Sequence, residues 1–159
     1  MSGVTIREMR QDDLGPVGTL AGELVRLHHR WDADRFFLTE RVDEGYRWFF
    51  GAQLGRPEVV LLVAELDGQV VGYAFGAVEA RDWSRLLDAH GGLHDVAVDA
   101  RFRRRGVGRR LVEAAVAALE AKGAPRVVLM SATQNAEAQA LFESLGFRRT
   151  MVEMTRSRQ

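Results

Sequence analysis

The spacing of hydrophobic and polar residues changes repeatedly along the chain, and each change predicts a new element. Residues 4–9 alternate between apolar and polar side chains, as a half-buried strand does. Residues 14–28 instead carry leucine and valine every three or four positions, which predicts an amphipathic helix. Over the whole chain the pattern predicts strands at 4–9, 59–66, 69–78, 91–98, 126–130 and 147–155 and helices at 14–28, 42–54, 105–122 and 135–145. The order β-α-α-β-β-β-α-β-α-β indicates an α/β (α+β) fold with a mixed sheet.

Two connections can also be predicted. Asp67 and Gly68 lie between two predicted strands and suit a two-residue hairpin turn, because both tolerate a positive φ. Residues 28–37 mix histidine, tryptophan, aspartate and phenylalanine without a clear period. That segment is predicted to be a loop or a broken helix.

Composition is typical of one ordinary globular domain. The 159 residues are 47% hydrophobic and 28% charged, which excludes a disordered or collagen-like chain. We expect one domain over residues 1–159. No cysteine is present, so disulfides, thiolate metal sites and a cysteine nucleophile are excluded. The longest aliphatic run, 59–64, is too short to span a membrane, and no signal-peptide pattern opens the chain, so a cytoplasmic protein is expected.

The formal net charge of zero hides a division of the chain. Residues 1–100 carry 10 Arg and 17 Asp or Glu, a net charge of −7. Residues 101–159 carry 11 Arg, one Lys and 5 Glu, a net charge of +7. Each half could serve a different partner. Codon bias is the alternative explanation, because arginine outnumbers lysine 21 to 1.

The most informative stretch joins a predicted strand to the longest predicted helix through a turn containing Gly106 and Gly108. The first turn of a helix has unpaired N–H groups and a positive dipole end, so this position suits an anion, above all a phosphate. The two glycines let the backbone approach a ligand closely. Six arginines and no acidic residue lie within residues 101–110, which adds complementary charge.

Other interpretations of this stretch are a simple helix entry, a solvated face and a nucleic-acid patch. The stretch lacks the Gly-Lys-Ser/Thr of a Walker loop and the triple-glycine spacing of a dinucleotide fingerprint. Aromatic residues are not interleaved with the arginines, and the rest of the chain is acidic. Both observations disfavour nucleic acid.

On these residues the sequence resembles the GNAT superfamily of acyl-CoA-dependent N-acyltransferases. Arg103-x-x-Gly106-x-Gly108 matches the family's Q/R-x-x-G-x-G/A motif. Residues 93–98 are similar to its fourth strand, and residues 135–147 resemble its closing Asn-x-x-Ala…Leu-Tyr-x-x-x-Gly-Phe element. The element order also matches, so the resemblance covers nearly the whole chain. It implies a six- to seven-stranded, mostly antiparallel sheet flanked by four helices.

The resemblance implies that acetyl-CoA is the co-substrate, and we expect no metal. In the family, the glycine-containing loop holds the CoA pyrophosphate, and the fourth strand pairs with the pantetheine arm as a sheet edge pairs with an added strand. The closing helix contacts the cofactor near the thioester. Carried onto this chain, the cofactor-binding residues are Val96, Ala97, Val98, Arg103, Arg104, Arg105, Gly106, Val107, Gly108, Arg109, Arg110, Asn135, Ala138 and Phe142. Arg109 and Arg110 are also candidates for the 3′-phosphate of CoA.

The family reaction is direct attack of a neutral amine on the thioester carbonyl, which needs a general base or a water relay. His94 and Asp95 lie where family members often have a carboxylate base. Strand alternation sends their side chains to opposite faces unless a bulge resets the phase, and both stay candidates. The backbone N–H of Val96 is the candidate donor to the oxyanion.

Phe142 departs from the family pattern, which commonly has a tyrosine that protonates the departing thiolate at this position. Water, Ser131 or Ser144 could supply that proton instead. The departure also keeps open an alternative to an enzyme, namely a CoA-binding sensor or regulatory module that has lost catalysis.

The family binds its acceptor between the first two helices and the loops beside the third and fourth strands. Aromatic and acidic side chains there suit a cationic amine of a small molecule or a peptide. The candidate substrate-binding residues are His28, Trp31, Asp32, Arg81 and Asp82. His28 and His29 with Asp32 lack a further metal ligand at convincing spacing. We expect neither nucleic acid nor a membrane as a partner, and a homodimer through residues 152–155 stays open.

Overall fold

The computed structural model describes residues 3–159 and contains, within that range, one five-stranded sheet and four α-helices. The elements in chain order are β1 (Thr5–Glu8), α1 (Leu14–Trp31), α2 (Val42–Gln53), β2 (Val59–Leu66), β3 (Gln69–Glu79), β4 (His90–Val98), α3 (Val107–Ala121), β5 (Val127–Leu129) and α4 (Ala136–Ser144). The strands stand in chain order across the sheet. β1 to β4 are antiparallel neighbours and β5 runs parallel to β4, so the predicted mixed, mostly antiparallel sheet is confirmed.

The hairpin between β2 and β3 forms at the predicted turn. Asp67 and Gly68 have φ of 50° and 75°, and Leu66 pairs with Gln69 across the turn. Two consecutive positive φ values match the right-handed twist of the flanking strands, which is why Asp-Gly suits the position.

Each face of the sheet is covered by its own hydrophobic core. Ala64 and Ala74 belong to the core under α3, whereas Val63 and Tyr73 belong to the core under α1 and α2. Successive strand residues point to opposite faces, so one run of apolar residues serves both cores. The sheet is therefore sandwiched between two helical layers, and its open edges are left to form a site.

The sixth strand predicted at 147–155 is wrong, as is the expected total of six to seven strands. Within residues 3–159, the segment after α4 forms no strand, and Met151, Val152 and Met154 are 77–90% exposed. The alternation that predicts a strand is present, but a strand also needs a neighbour for its N–H and C=O groups. Ion pairs hold the segment instead, from Arg149 to Glu143 and from Arg35 to Glu153.

The first helix is longer than the periodicity indicates. α1 continues to Trp31, so the helix ends three residues later than the predicted 28. Asp32 ends the helix, with extended backbone and a side chain that accepts hydrogen bonds from the N–H groups of Asp34 and Arg35. Among residues 3–159, none of the helices combines the length and the hydropathy that crossing a bilayer requires.

Candidate active site

β4 loses one of its two neighbours half-way along its length. β5 pairs with Gly91–Leu93 and no further, while β3 accompanies β4 to Val98. Within the described part of the chain, residues 94–98 therefore have a strand on one side and a gap on the other. A gap beside a strand exposes a row of backbone groups to which an extended ligand can bind.

The pairing phase shows which backbone groups face this gap. The N–H of Asp99 donates to the carbonyl of Val71 at 2.8 Å, so this pair is a hydrogen-bonded pair of the antiparallel ladder. Hydrogen-bonded and non-hydrogen-bonded pairs alternate along such a ladder. Ala97 consequently turns its backbone toward β3, whereas Val96 and Val98 turn theirs toward the gap.

A bulge lies at His94, where the strand edge opens. Phe75 pairs with Asp95 and Gly76 pairs with Leu93, so His94 has no opposite residue on β3. The ring of His94 lies 5.4 Å from the ring of Phe75, centroid to centroid, and Asp95 is the cross-strand partner of that same Phe75. The extra residue resets the alternation, and both side chains come to lie on the face covered by α1 and α2.

The first turn of α3 keeps its N–H groups free. Gly106 precedes the helix with φ of 77°, and no side chain among residues 3–159 caps the helix. The first backbone bond inside the helix runs from the N–H of Arg110 to the carbonyl of Gly106, at 3.1 Å. The N–H groups of Val107, Gly108 and Arg109 precede that bond and lie at the positive end of a 15-residue helix. This arrangement suits an anion such as a phosphate.

The two glycines of this turn differ in whether the fold requires a glycine at their position. Gly106 needs its left-handed conformation, which a side chain would strain. A Cβ built at Gly108 would meet Leu141 Cδ2 at 3.5 Å and Val98 Cγ2 at 3.7 Å, both ordinary contacts. The packing of the chain therefore does not require glycine at 108. The same contacts show that the start of α3 adjoins Val98, at the end of the open edge of β4.

Acidic residues from outside the arginine-rich segment approach half of its arginines. Asp99 and Glu113 are near neighbours of their arginines along the chain, whereas Glu137 comes from α4. The ion pairs are Arg101 with Asp99 at 2.8 Å, Arg104 with Glu137 at 4.0 Å and Arg109 with Glu113 at 3.8 Å.

The other three arginines differ in what they contact. Arg110 donates to the backbone carbonyl of Val4, away from the loop, and its own N–H is used inside α3. Arg103 Nε lies 3.4 Å from the carbonyl of Val98, and Arg105 lies over the ring of Phe102 at 5.5 Å. Within residues 3–159, neither Arg103 nor Arg105 has an ion pair. These two side chains are the positive charges most available beside the free N–H groups.

A cleft of about 250 Å³ opens on the gap between β4 and the end of β5. α1, α2 and the segment after α1 form one wall, and the segment after β5 with α4 forms the other. The lining residues are Leu24, Val25, His28, Arg35, Phe36, Phe37, Tyr46, Leu93, His94, Asp95, Val96, Leu129, Met130, Ser131, Ala132, Asn135, Ala138 and Phe142. The cleft therefore brings His94, Asp95 and Val96 together with the three predicted residues of α4.

His94 is held in the cleft by a carboxylate from the neighbouring strand. Its Nε2 lies 2.5 Å from Oε1 of Glu79, and the imidazole is 40% exposed. The other carboxylate oxygen, Oε2, lies 3.0 Å from Nε2 of His90, which is buried. No partner of His94 Nδ1 is present among residues 3–159. A histidine held through one nitrogen, with the other one free, has the arrangement of a general base.

Asp95 has a more enclosed environment. Its Oδ2 accepts a hydrogen bond from the hydroxyl of Tyr73 at 3.0 Å. Burial raises the pKa of Asp95, and the bond from Tyr73 and the nearby charges of His94 and His28 partly oppose that rise. Burial, helped by the negative charge of Asp95, raises the pKa of Tyr46 to about 12. Both tyrosines keep their protons at neutral pH, and Asp95 contributes the acidic group on this wall.

The closing helix presents one capping residue and one aromatic residue to the cleft. The Oδ1 of Asn135 accepts the N–H of Ala138 at 3.1 Å and so begins α4. Phe142 lines the cleft and has no hydroxyl to donate. Of the two serines considered as replacements, Ser131 lines the cleft, whereas Ser144 donates to a carbonyl of its own helix at 2.6 Å.

Comparison with known proteins decides the family. The model of the Acetyltransferase (GNAT) family matches residues 24–147, well over half of the chain. The chain belongs to the GNAT acetyltransferase family. Its domain is that of an acyltransferase.

Relatives of this GNAT acetyltransferase differ in length and in substrate. An N-alpha-acetyltransferase of Sulfurisphaera tokodaii is 32% identical over 137 residues, covering 80% of this chain and 81% of that protein. A mycothiol acetyltransferase of Beutenbergia cavernae is 37% identical over 108 residues, which are 67% of this chain but 32% of that protein. The chain thus spans about a third of the mycothiol enzyme.

Solved structures agree on the fold. The aminoglycoside N-acetyltransferase AAC(6′)-Iy, solved in complex with CoA, superimposes with a TM-score of 0.75, covering 100% of this chain and 97% of that one. Its sequence is 21% identical to this chain, so the likeness concerns the fold.

The predicted acceptor residues of this GNAT protein are only partly brought together. His28 lines the cleft, and its Nδ1 lies 2.7 Å from the carbonyl of Leu24. The ring of Trp31 packs edge-on against the ring of His28, with 4.9 Å between the ring centroids. Asp32, Arg81 and Asp82 do not line the cleft. Their side chains serve local structure: Asp32 ends α1, Arg81 pairs with Asp88 at 3.0 Å, and Asp82 accepts the N–H of Ser84 at 2.9 Å.

Sequence reasoning missed two residues that support the cleft from β3 and one that lines it. Glu79 and Tyr73 lie on β3 and reach His94 and Asp95 only through strand pairing. Glu79 is the last residue of β3 and pairs with His90 on β4, and no local pattern in the sequence predicts that register. Arg35 lines the cleft from the segment after α1, where no periodicity points to it.

Proposed function

We propose that this protein transfers the acetyl group of acetyl-CoA to a primary amine of a small molecule or a peptide by direct attack on the thioester. One observation carries the proposal. The open edge of β4 runs from the uncapped start of α3, beside Val98, to the cleft that holds His94. A phosphate site, an extended backbone edge and a base thus follow one another along β4. The pyrophosphate, the pantetheine arm and the thioester follow one another in the same order in acetyl-CoA.

The residues present fit this co-substrate. We assign the pyrophosphate to the N–H groups of Val107, Gly108 and Arg109, which no side chain caps. Arg103 and Arg105 supply the nearest unpaired positive charges. The backbone groups of Val96 and Val98 that face the gap are suited to the amides of the pantetheine arm, as a strand edge is suited to an added strand.

When bound, acetyl-CoA supplies the thioester that the amine attacks. His94 accepts a proton of the amine on Nδ1, which leaves the nitrogen lone pair free for attack. The N–H of Val96 faces the gap and donates to the carbonyl oxygen as negative charge develops on it. The departing thiolate takes a proton from water or from Ser131. A thiol with an ordinary pKa near 8.5 leaves without a strong acid, so Phe142 is compatible with turnover.

Geometry favours His94 over Asp95 as the base. The imidazole is accessible and keeps one nitrogen free, whereas the carboxylate of Asp95 is enclosed and already accepts a bond from Tyr73. Asp95 instead supplies negative charge to the wall that also contains Tyr46 and His28. An acidic group among aromatic rings suits a cationic amine through charge and cation–π contacts. A relative named as an N-alpha-acetyltransferase agrees with an amine acceptor.

The exposed C-terminal segment supports a further proposal about assembly. Met151, Val152 and Met154 are apolar and unusually exposed, and their backbone forms no strand within the described chain. Pairing of residues 147–159 with a second copy would bury them, so we propose a homodimer. A single domain over residues 1–159 and a cytoplasmic location stay predictions from the sequence.

The direct test of function is thiol release from acetyl-CoA across a panel of amines. The panel contains polyamines, aminoglycosides, amino acids and peptides with free N-termini, with peptides of blocked N-terminus and no lysine as negative controls. We expect turnover with at least one cationic amine and an acetylated product. Saturable binding of acetyl-CoA without turnover of any amine would favour the alternative, a regulatory module.

A further inference from the structure

Glu79 joins two imidazoles through one carboxylate group. Oε1 contacts Nε2 of His94, at the cleft, and Oε2 contacts Nε2 of His90 at 3.0 Å. His90 is 2% exposed, whereas Glu79 is 34% exposed and lines a small cavity of about 50 Å³ beside Arg85. The carboxylate is thus fixed at both oxygens.

The second nitrogen of His90 limits where the protons of this group can be. Its Nδ1 lies 2.9 Å from the backbone carbonyl of Asp88, and a carbonyl can only accept, so Nδ1 carries a proton. Two arrangements satisfy the remaining contact. Either His90 also carries a proton on Nε2 and faces an ionised Glu79, or Glu79 is protonated on Oε2 and donates to a neutral His90.

Both arrangements require the same state of His94. In each of them Oε1 of Glu79 has no proton, so it accepts from His94, and Nε2 of His94 carries the proton. The opposite assignment has the proton on Oε1 and leaves a charged His90 buried without a counter-ion, which is costly. The neutral form of His94 is therefore the Nε2–H tautomer, with the lone pair on Nδ1.

We propose that Glu79 is a positioning residue, which holds His94 in the tautomer whose Nδ1 accepts the proton of the amine. This inference rests on the proposed function, because it assigns a role to the base of that reaction. An ionised Glu79 also stabilises the imidazolium formed when His94 takes the proton. The other ionisable groups that line the two cavities beside His94 are Asp95, His90 and Arg85 and, across the cleft, His28 of α1, Arg35 after α1 and Tyr46 of α2. Phe75 supports the ring from beneath.

The tautomer can be observed without any acceptor amine. The chain has four histidines, so long-range ¹H–¹⁵N spectra of protein with ¹⁵N-labelled histidine resolve each ring, and His94→Gln assigns the signal of interest. At about pH 8, where an ordinary histidine is neutral, we expect His94 as the Nε2–H tautomer in the unmodified protein. The Nδ1–H tautomer, or an equal mixture, would overturn the proposal even if every variant failed to fold.

Kinetics then test the effect on the reaction. Glu79→Leu, which removes both oxygens, is expected to lower kcat by about 10- to 100-fold and to leave the KM for acetyl-CoA unchanged. The acidic limb of the kcat/KM profile moves to lower pH, because the imidazolium loses its counter-ion. Glu79→Asp keeps the charge and recovers part of kcat. Glu65→Leu is the matched control. Glu65 lies in the same sheet, is exposed to a similar extent as Glu79 and pairs with Arg7.

The two proposals fail in different ways. If no amine is acetylated but the Nε2–H tautomer is found and is lost in Glu79→Leu, which has no acceptor oxygen, the proposed function fails and the positioning by Glu79 stands. If amines are acetylated but Glu79→Leu changes neither kcat nor the acidic limb, the proposed function stands and the positioning role is wrong. A merely structural role would lower stability without moving the pH profile.

Discussion

The two ends of the β4 edge are built by different means. At the α3 end, a short contiguous stretch supplies backbone N–H groups, and its own side chains contribute little beyond charge. At the cleft end, side chains from β3, β4, α1 and α2 converge on the bulge at His94. The first region depends on backbone conformation, whereas the second depends on long-range packing.

This difference explains why the two regions should respond differently to substitution. A backbone donor is lost only when the N–H itself is removed, so most side-chain changes in residues 106–109 should be mild. A base is a single side chain in a defined tautomer, so one substitution at His94 or at its support should have a large effect. Binding of acetyl-CoA and the rate of acetyl transfer are therefore expected to separate.

The largest expected effect is at His94. His94→Gln should lower kcat by about 10²- to 10⁴-fold, the usual contribution of a general base, with the Kd for acetyl-CoA unchanged. Steady-state kinetics with the best amine of the panel, together with calorimetric titration of acetyl-CoA, would measure both quantities. Asp95→Asn serves as the comparison, and a larger loss of kcat in that variant would make Asp95 the base.

The next effect concerns the backbone donors at the start of α3. Gly108→Pro removes one free N–H within the first helical turn, where proline is best tolerated. We expect the Kd for acetyl-CoA to rise by about 10- to 100-fold, the value of one hydrogen bond to a charged group. Gly108→Ala is the matched control, because its Cβ has room and its N–H is kept. Equal losses in both variants would show that space, not the donor, matters.

A third prediction concerns stability on the cleft side. Burial raises the pKa of Asp95 above its ordinary value of 3.8, so the folded state holds its proton more tightly than the unfolded state. The stability contributed by that proton is present at low pH and is lost as pH rises through the raised pKa. Asp95→Asn should therefore raise the Tm at neutral pH. The Tm of this variant should also fall less than that of the unmodified protein as the pH rises from acidic to neutral. A lower Tm at pH 7 would show that the bond from Tyr73 outweighs the burial.

The smallest expected effect is at Phe142. Phe142→Tyr restores the family's hydroxyl, yet the rate should change no more than a few-fold, because a thiolate leaves without full protonation. Single-turnover measurement of thiol release isolates this step. A gain of two orders of magnitude would mean that the missing acid limits the enzyme.

The fold was largely predictable because its elements follow local patterns. The Asp67-Gly68 turn, the alternation of β2 and β3 and the periodicity of α3 all depend on nearby residues. The final strand was not predictable, since residues 147–155 have a strand's pattern and lack only a neighbour. Pairing is a property of the assembled sheet and leaves no trace in the segment itself.

The candidate site divides in the same way. Gly106 and Gly108 were identified because the turn and the helix that follows are contiguous in sequence. His94 and Asp95 were identified, but their common face was not, because the bulge depends on the register of β3 against β4. Glu79 was missed for the same reason. Arg81 was predicted from the aromatic and charged residues around it in the sequence, and it lies outside the cleft.

One measurement tests the separation of binding from chemistry most directly. Acetyl transfer is followed in a single turnover, with increasing acetyl-CoA, for Gly108→Pro and His94→Gln against the unmodified protein. We predict that Gly108→Pro reaches the unmodified rate once acetyl-CoA is saturating, and that His94→Gln stays slow at every concentration. A Gly108→Pro variant that stays slow at saturation, or a His94→Gln variant that recovers, would contradict the account.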